Sequence, residues 1–172
     1  TKTSAENLCE LIHRDHGLPV VVLRTSRFFP EEDDSPTMRS RYAPDNLKAN
    51  EFLHRRVELQ DAVDAHRLAL ERAPELGFAR YIISATPPFS RDDVAQLRVD
   101  APALVRRLYP EYEALYDCRG WTMFPSFDRV YDNGKARREL GWRPKFDFRH
   151  VLERLQRGDD VLIEDGLIID LG

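Results

Sequence analysis

Two histidines near the start of the chain have the spacing of a helical metal site. His13 and His16 are three residues apart, and Glu10 lies one turn earlier. Residues at this spacing lie on neighbouring positions of a helix surface. However, the sequence contains no HExxH motif and offers no clear further ligand. We therefore interpret these residues as surface histidines and predict no metal site.

A second candidate for chemistry is Arg27, which opens a long polar stretch over residues 26–46. Loops of this length tend to be functional or disordered. A guanidinium in such a loop could clamp a phosphate or a carboxylate with two parallel hydrogen bonds. A salt bridge to Glu31, Glu32 or Asp33 explains the same arginine equally well.

Composition limits the classes of protein that fit the chain. Its 172 residues are 42% hydrophobic and 33% charged with a net charge of −4, which is typical of one soluble globular domain. The aromatic residues between positions 109 and 127 could stack nucleic-acid bases. Because this segment has no net basic excess, we interpret it as the core of a small lobe and predict no nucleic-acid partner.

The cysteines and the hydropathy of the chain indicate the cellular compartment to expect. Cys9 and Cys118 are far apart in the sequence, so a reduced, cytoplasmic protein without a disulfide framework is expected. Cys9 falls on the apolar stripe of a helix, where we predict a buried thiol. We find no signal peptide and no apolar run that could span a membrane.

The first half of the chain predicts alternating helices and strands. Residues 3–16 predict a helix that starts with a capping box between Thr3 and Glu6. Residues 19–23 are continuous, apolar and β-branched, which indicates a parallel strand buried on both faces. Residues 80–85 predict a second buried strand. This order is typical of a doubly wound α/β fold.

The second half predicts short capped helices. Asp100 and Asp147 each precede a helical segment and have the residue type of an N-cap. Asp61 lies at the start of another helix, so we interpret it as a structural N-cap or first-turn carboxylate and not as a catalytic group.

Four segments, in order, carry a family resemblance. Residues 1–6 (TKTSAE) resemble the segment that begins at the lysine of a Tyr-x-x-x-Lys motif, and residues 18–30 resemble an L-R-x-x-N-V-Y-G-P strand and loop. Residues 56–66 resemble an R-D-F-x-x-V-D-D-V-A-x-A segment, and residues 136–144 resemble an L-G-W-x-P element. Together they are similar to extended short-chain dehydrogenase/reductases of the NAD-dependent epimerase/dehydratase type.

The resemblance implies an α/β fold that comprises the C-terminal part of a doubly wound, Rossmann-like parallel sheet and a mainly helical substrate-binding lobe. We place the remnant of the Rossmann-like domain, with inserted substrate-loop elements, at residues 1–85 and the lobe at residues 86–158. The tail, residues 159–172, contains Asp165-Gly166 between apolar pairs, which predicts a β-hairpin.

The same resemblance implies NAD or NADP as the cofactor of the parent enzyme and a nucleotide sugar or related small molecule as its substrate. Lys2 would be the catalytic and cofactor-binding lysine, which lowers the pKa of the motif tyrosine by Coulomb attraction. Substrate binding is assigned to Arg27, Asn46, Arg55 and Arg56. Arg27 stands where the family commonly has asparagine, and solvated arginines at a helix end explain Arg55 or Arg56 nearly as well.

The sequence has no tyrosine four residues before Lys2 and no glycine-rich phosphate turn. We therefore expect this chain alone to be inactive and to bind no cofactor. The alternative is a non-enzymatic α/β binding or assembly module, because the strand at residues 20–23 would leave an open edge that pairs with another copy or with a separate N-terminal half. A third hypothesis is an NAD-independent pocket around Arg27 and His66.

Overall fold

The computed structural model describes residues 1–28 and 35–161. Within these ranges the chain forms helices around one pair of strands. The elements in chain order are α1 (Lys2–His16), β1 (Val20–Thr25), α2 (Pro36–Arg41), α3 (Pro44–Glu51), α4 (Leu59–Leu76), β2 (Phe78–Ile83), a 3-10 turn (Arg91–Asp93), α5 (Val94–Val99), α6 (Ala101–Leu108), α7 (Tyr112–Asp117), a π-helical segment (Ala136–Leu140) and α8 (Phe148–Arg157). No helix in the described part of the chain is both long and apolar enough to cross a membrane.

The first helix begins one residue into the chain. Thr1 is its N-cap, and the Thr1 hydroxyl accepts a hydrogen bond from the backbone N–H of Ser4. The predicted capping box at Thr3 and Glu6 is therefore wrong, because both residues already lie inside the helix. Glu6 instead accepts two hydrogen bonds from the guanidinium of Arg24, at 2.9 and 2.6 Å, and so ties α1 to β1.

The strands β1 and β2 pair in parallel, with Val20 opposite Phe78 and Thr25 opposite Ile83. Successive side chains of a strand point to opposite faces of a sheet. Arg24 faces α1, whereas Val21 and Leu23 of the same strand pack in the cluster that includes alanines of α4. The two helices thus cover opposite faces of the pair, and the general α/β class predicted from the sequence is confirmed.

The burial of β1 differs from the prediction. Val20, Val21, Val22 and Leu23 are all half-exposed, so the interpretation of a strand buried on both faces is wrong for the described structure. β1 pairs with β2 alone among the described residues, which leaves its other edge open. Helix α1 has no buried residue, and the predicted buried thiol of Cys9 is accordingly half-exposed.

The helical lobe has its own large core. Aromatic side chains between residues 109 and 127, including Tyr116 and Phe124, pack in its interior as the sequence predicted, and Phe148 of α8 belongs to the same cluster. Residues of α3, such as Leu47, and Leu53 after it belong to the same cluster. The helix before α4 therefore packs with the lobe, although it precedes the predicted boundary at residue 85. That boundary stays a prediction.

One buried carboxylate connects the two parts of the fold. Asp61, in the first turn of α4, accepts hydrogen bonds from the backbone N–H groups of Lys145 and Phe146 at 2.9 to 3.0 Å. Its carbonyl oxygen accepts a bond of 2.9 Å from the indole N–H of the buried Trp142. The structural role predicted for Asp61 is confirmed. The predicted hairpin at Asp165-Gly166 lies outside the described residues.

Candidate ligand-binding cleft

The chain segment around Arg56 lies between the continuations of the two strands. The backbone N–H of Arg27 donates to the carbonyl of Arg55 at 3.1 Å, and Val57 donates to the carbonyl of Arg27 at 2.9 Å. On the other side, Ala85 donates to the carbonyl of Arg56 at 2.8 Å. Ligands of open α/β sheets bind beyond the carboxyl ends of the strands, and Arg27, Arg55 and Arg56 are held at that edge.

A single buried carboxylate brings the three predicted arginines together. Glu51, the last residue of α3, is fully buried. Its Oε2 lies 2.8 Å from Nη1 of Arg56, and its Oε1 lies 2.9 Å from Nη2 of Arg55 and 3.6 Å from Nε of Arg27. The sequence grouped these arginines correctly, but it gave no role to Glu51, which orients them.

The three guanidiniums differ in their access to solvent. Arg56 is buried, and burial lowers its pKa, while the Glu51 carboxylate partly offsets this effect. The side chains of Arg27 and Arg55 are 33% and 30% exposed. Arg56 thus anchors the cluster in the protein interior, whereas the guanidinium groups of Arg27 and Arg55 are partly accessible to solvent. The alternative partners of Arg27 predicted at Glu31, Glu32 and Asp33 lie outside the described residues.

The two outer arginines border a cavity of about 320 Å³, which is at the lower end of the range for small-molecule sites. Its wall combines cationic, aromatic and acceptor groups. The lining residues are Arg27, Ser35, Met38, Arg41, Tyr42, His54, Arg55, Phe124, Pro125, Ser126, Phe127 and Asp128.

His54 is the most strongly perturbed titratable group in this wall. It is 5% exposed, and its Nδ1 lies 3.3 Å from the carbonyl oxygen of Asn50. Burial, together with the nearby charge of Arg55, lowers the pKa of His54 to about 3. The imidazole is therefore neutral at physiological pH, and because a carbonyl can only accept, Nδ1 carries the proton.

Asp128 supplies a second acceptor to the cavity. Its Oδ2 accepts hydrogen bonds from Nε and Nη2 of Arg129 at 2.9 and 2.7 Å. These bonds lower the pKa of the Asp128 carboxyl, so it stays ionised at neutral pH. The wall thus has an ionised carboxylate and a neutral imidazole near each other.

The predicted substrate residue Asn46 forms a backbone clamp. Its Nδ2 donates to the carbonyl of Thr122 at 3.0 Å, and its Oδ1 accepts from the N–H of the same residue at 3.1 Å. Asn50 donates to the same carbonyl and accepts a hydrogen bond from the Tyr116 hydroxyl. Both asparagines fix the segment that leads to Phe124. A substrate contact of Asn46 stays a prediction.

Two further predicted residues lie away from this cavity. Lys2 is exposed at the start of α1 and is not part of the cavity wall, so its catalytic and cofactor-binding roles stay predictions. His66 borders a different, apolar groove between α4 and β1. Arg27 and His66 thus border different cavities, and the hypothesis of one pocket around them stays a prediction.

The described residues contain no group of three or more histidine, cysteine, aspartate or glutamate side chains arranged to hold a metal ion. His13 has a structural contact instead. Its Nδ1 lies 2.7 Å from the carbonyl oxygen of Leu18, and its ring stacks on Phe78 at 5.9 Å.

Sequence reasoning missed His54 and Asp128. They are 74 positions apart and belong to no motif of the resemblance. The sequence contains a weak signal for His54. It is followed by two arginines at a predicted helix end, and these three polar residues directly follow the apolar Phe52 and Leu53.

A parallel strand pair covered by helices, with a polar cleft at its carboxyl edge, defines an α/β protein with a candidate small-molecule site. Among solved structures, the chain is similar to UDP-N-acetylglucosamine 4-epimerase from Bacillus cereus, with a TM-score of 0.51 and 15% sequence identity. The match covers 91% of this chain and 50% of the epimerase chain, so this chain spans about half the length of that structure. No family model and no curated protein sequence matches the chain. The likeness shows a shared Rossmann-type α/β fold.

Proposed function

We propose that this chain is the C-terminal, substrate-binding portion of an NAD(P)-dependent epimerase/dehydratase-like protein of the extended short-chain dehydrogenase/reductase family. The observation that carries the proposal is the cavity bordered by Arg27 and Arg55 beyond the carboxyl ends of β1 and β2. Support also comes from the four motif-like segments in order and from the fold likeness to half of a nucleotide-sugar epimerase.

The ligand class that suits this wall is a nucleotide sugar or a related phosphorylated small molecule. Guanidiniums recognise phosphate oxygens in a fixed, planar geometry. Arg27, Arg41 and Arg55 would contact the diphosphate, and Tyr42 and Phe127 offer apolar surface to a base or sugar ring. Arg56, being buried, would position Glu51 and would not touch the ligand.

The residues of this chain do not fit a complete dinucleotide site. Lys2 alone matches a cofactor-binding position of the family, and the 172 residues contain no glycine-rich phosphate turn. We therefore propose substrate binding for this chain and assign NAD or NADP to the parent enzyme.

Two titrations test this proposal. Isothermal titration with UDP should show saturable binding that weakens roughly 10- to 100-fold in Arg55→Met, because a charged hydrogen-bonding partner of the phosphate is lost. Arg67→Met, at an exposed pair on α4, is the matched control and should bind normally. NADH fluorescence should show no saturation at millimolar cofactor. Absence of UDP binding by the wild-type chain would overturn the proposal.

A second candidate function is an assembly module of the same fold. The open edge of β1 continues into an apolar groove of about 390 Å³ that is lined by Val21, Leu23 and Leu70, among others. Leu8 and Leu18, on and after α1, are also exposed. Such a surface favours pairing with a second copy or with a separate N-terminal half that supplies neighbouring strands.

A further inference from the structure

We propose that His54 and Asp128 form an acceptor pair that selects a polyhydroxylated group, such as the sugar of a nucleotide sugar, at one side of the cavity. This inference rests on the proposed function, because it assigns a ligand part to the same cleft. The acceptor pair differs in its chemistry from the arginines that would bind the diphosphate, and neither of its residues belongs to a motif of the chain.

The tautomer of His54 makes Nε2 an acceptor. The carbonyl oxygen of Asn50 fixes the proton on Nδ1, so Nε2 retains its lone pair. Among the described residues, no group donates a hydrogen bond to this nitrogen, although the residue borders the cavity. A ligand hydroxyl would donate the hydrogen bond that Nε2 of His54 can accept.

The imidazole is held in a fixed orientation. Its ring lies 4.6 Å from the ring of Phe127 and 5.8 Å from that of Phe124, measured between centroids. The backbone on either side is fixed as well, since the His54 N–H donates to Glu51 and its carbonyl accepts from Tyr131. A preorganised acceptor discriminates between ligands better than a mobile one.

The charge of the residues around His54 indicates which part of the ligand binds beside them. Asp128 is ionised, with a side chain that is 69% exposed, and would repel a phosphate, whereas a sugar presents several hydroxyl donors to the two acceptors of the cavity wall. Arg55 and Arg129 face His54 and oppose its protonation, while Asp128 favours it, and burial keeps the ring neutral. The diphosphate would therefore lie toward Arg27 and Arg55, and the sugar toward His54.

The test compares UDP with UDP-glucose by isothermal titration. The wild-type chain should bind UDP-glucose more tightly than UDP, since only the sugar supplies hydroxyl donors to the two acceptors of the cavity wall. His54→Phe, which keeps the aromatic packing, should lower the UDP-glucose affinity roughly 10- to 100-fold and leave the UDP affinity within about 3-fold. His54→Gln, which retains an acceptor, should restore most of the preference.

Two aspartate variants extend the test. Asp128→Asn should reduce the preference for UDP-glucose over UDP, whereas Asp117→Asn, at an exposed position at the end of α7, should not change it. Thermal unfolding of each variant shows whether it is folded. If His54→Phe does not fold, the His54→Gln and Asp128→Asn results decide the question.

The titrations distinguish a failure of the proposed function from a failure of the acceptor pair. If the wild-type chain binds neither ligand, the proposed function and the acceptor pair are both overturned. If it binds UDP and UDP-glucose equally, or if His54→Phe weakens both to the same extent, the proposed function stands and the acceptor pair is overturned.

Discussion

Nη1 of Arg56 lies 2.8 Å from Oε2 of Glu51, and both side chains are buried. This pair connects the end of α3 to the segment that bridges the two strand ends. The outer arginines, Arg27 and Arg55, approach the other oxygen of the same carboxylate. The position of the cationic wall of the cleft thus depends on one carboxylate.

The first prediction concerns that carboxylate. Glu51→Gln should lower the free energy of unfolding by about 3–5 kcal/mol, because it leaves the buried Arg56 without its compensating charge. Urea denaturation measures the effect. Glu71→Gln, which breaks an exposed pair with Arg67 on α4, should change stability by less than about 1 kcal/mol. Equal effects of the two variants would refute the proposed importance of the buried pair.

Asp61 provides the second prediction. Asp61→Asn should destabilise the fold by about 1–3 kcal/mol, because an amide N–H would face the backbone donors of Lys145 and Phe146. Asp64→Asn is the control, since Asp64 meets Lys145 only through an ion pair of 3.8 Å at the surface. A loss of stability in Asp64→Asn as large as that in Asp61→Asn would contradict the role of the backbone bonds.

The third prediction is a dependence of stability on pH. The pKa of His54 falls from 6.5 to about 3 on folding, so the unfolded chain binds a proton between these values and the folded chain does not. The stabilisation from a neutral His54 is complete above pH 6.5 and is lost as the pH falls toward 3. At about 1.4 kcal/mol per pKa unit, the loss by pH 4 is on the order of 3 kcal/mol.

The variant His54→Phe isolates this effect, because His150 also has a lowered pKa and contributes in the same direction. The difference in unfolding free energy between wild type and His54→Phe should change between pH 7 and pH 4 by the amount given above. A pH-independent difference for His54→Phe would exclude a buried neutral imidazole.

The fourth prediction concerns the open edge of β1. Light scattering should give the mass of a dimer or larger assembly for the wild-type chain. Leu70→Glu should shift the mass toward that of a monomer, because Leu70 is 79% exposed beside the apolar groove. Val99→Glu, at a residue that is 83% exposed in α5, should leave the mass unchanged. A monomeric wild-type chain would count against the assembly function.

Local signals in the sequence predicted local structure well. Asp100 and Asp147 cap α6 and α8, as their residue types indicated, and each side chain accepts a backbone N–H. Helix α2 was missed because the surrounding stretch is polar. Its start nevertheless has a recognisable signal, with Ser35 as the N-cap and Pro36 in the first turn.

Burial and the composition of the cleft were harder to predict. The apolar run of β1 indicates a strand, but no sequence pattern states how many neighbours the strand has. The cleft joins residue 54 to residue 128 across the chain, and this convergence is set by the packing of α3 against the lobe. The arginines could be grouped because Arg27 and Arg56 lie in two of the motif-like segments and Arg55 directly precedes Arg56. The groups that orient or complement them, Glu51 and Asp128, belong to no motif.

The bonds between Asp61 and Lys145 have a consequence for the synthesis of the chain. They join residues 84 positions apart, and Trp142 completes the cluster beneath the sheet. During translation, β1, α4 and β2 leave the ribosome long before these partners do. The nascent α/β layer therefore keeps part of its apolar face exposed, and water takes the place of the backbone donors at Asp61, until residues 142–146 emerge. We expect this interval to be the one in which the chain is most exposed to aggregation.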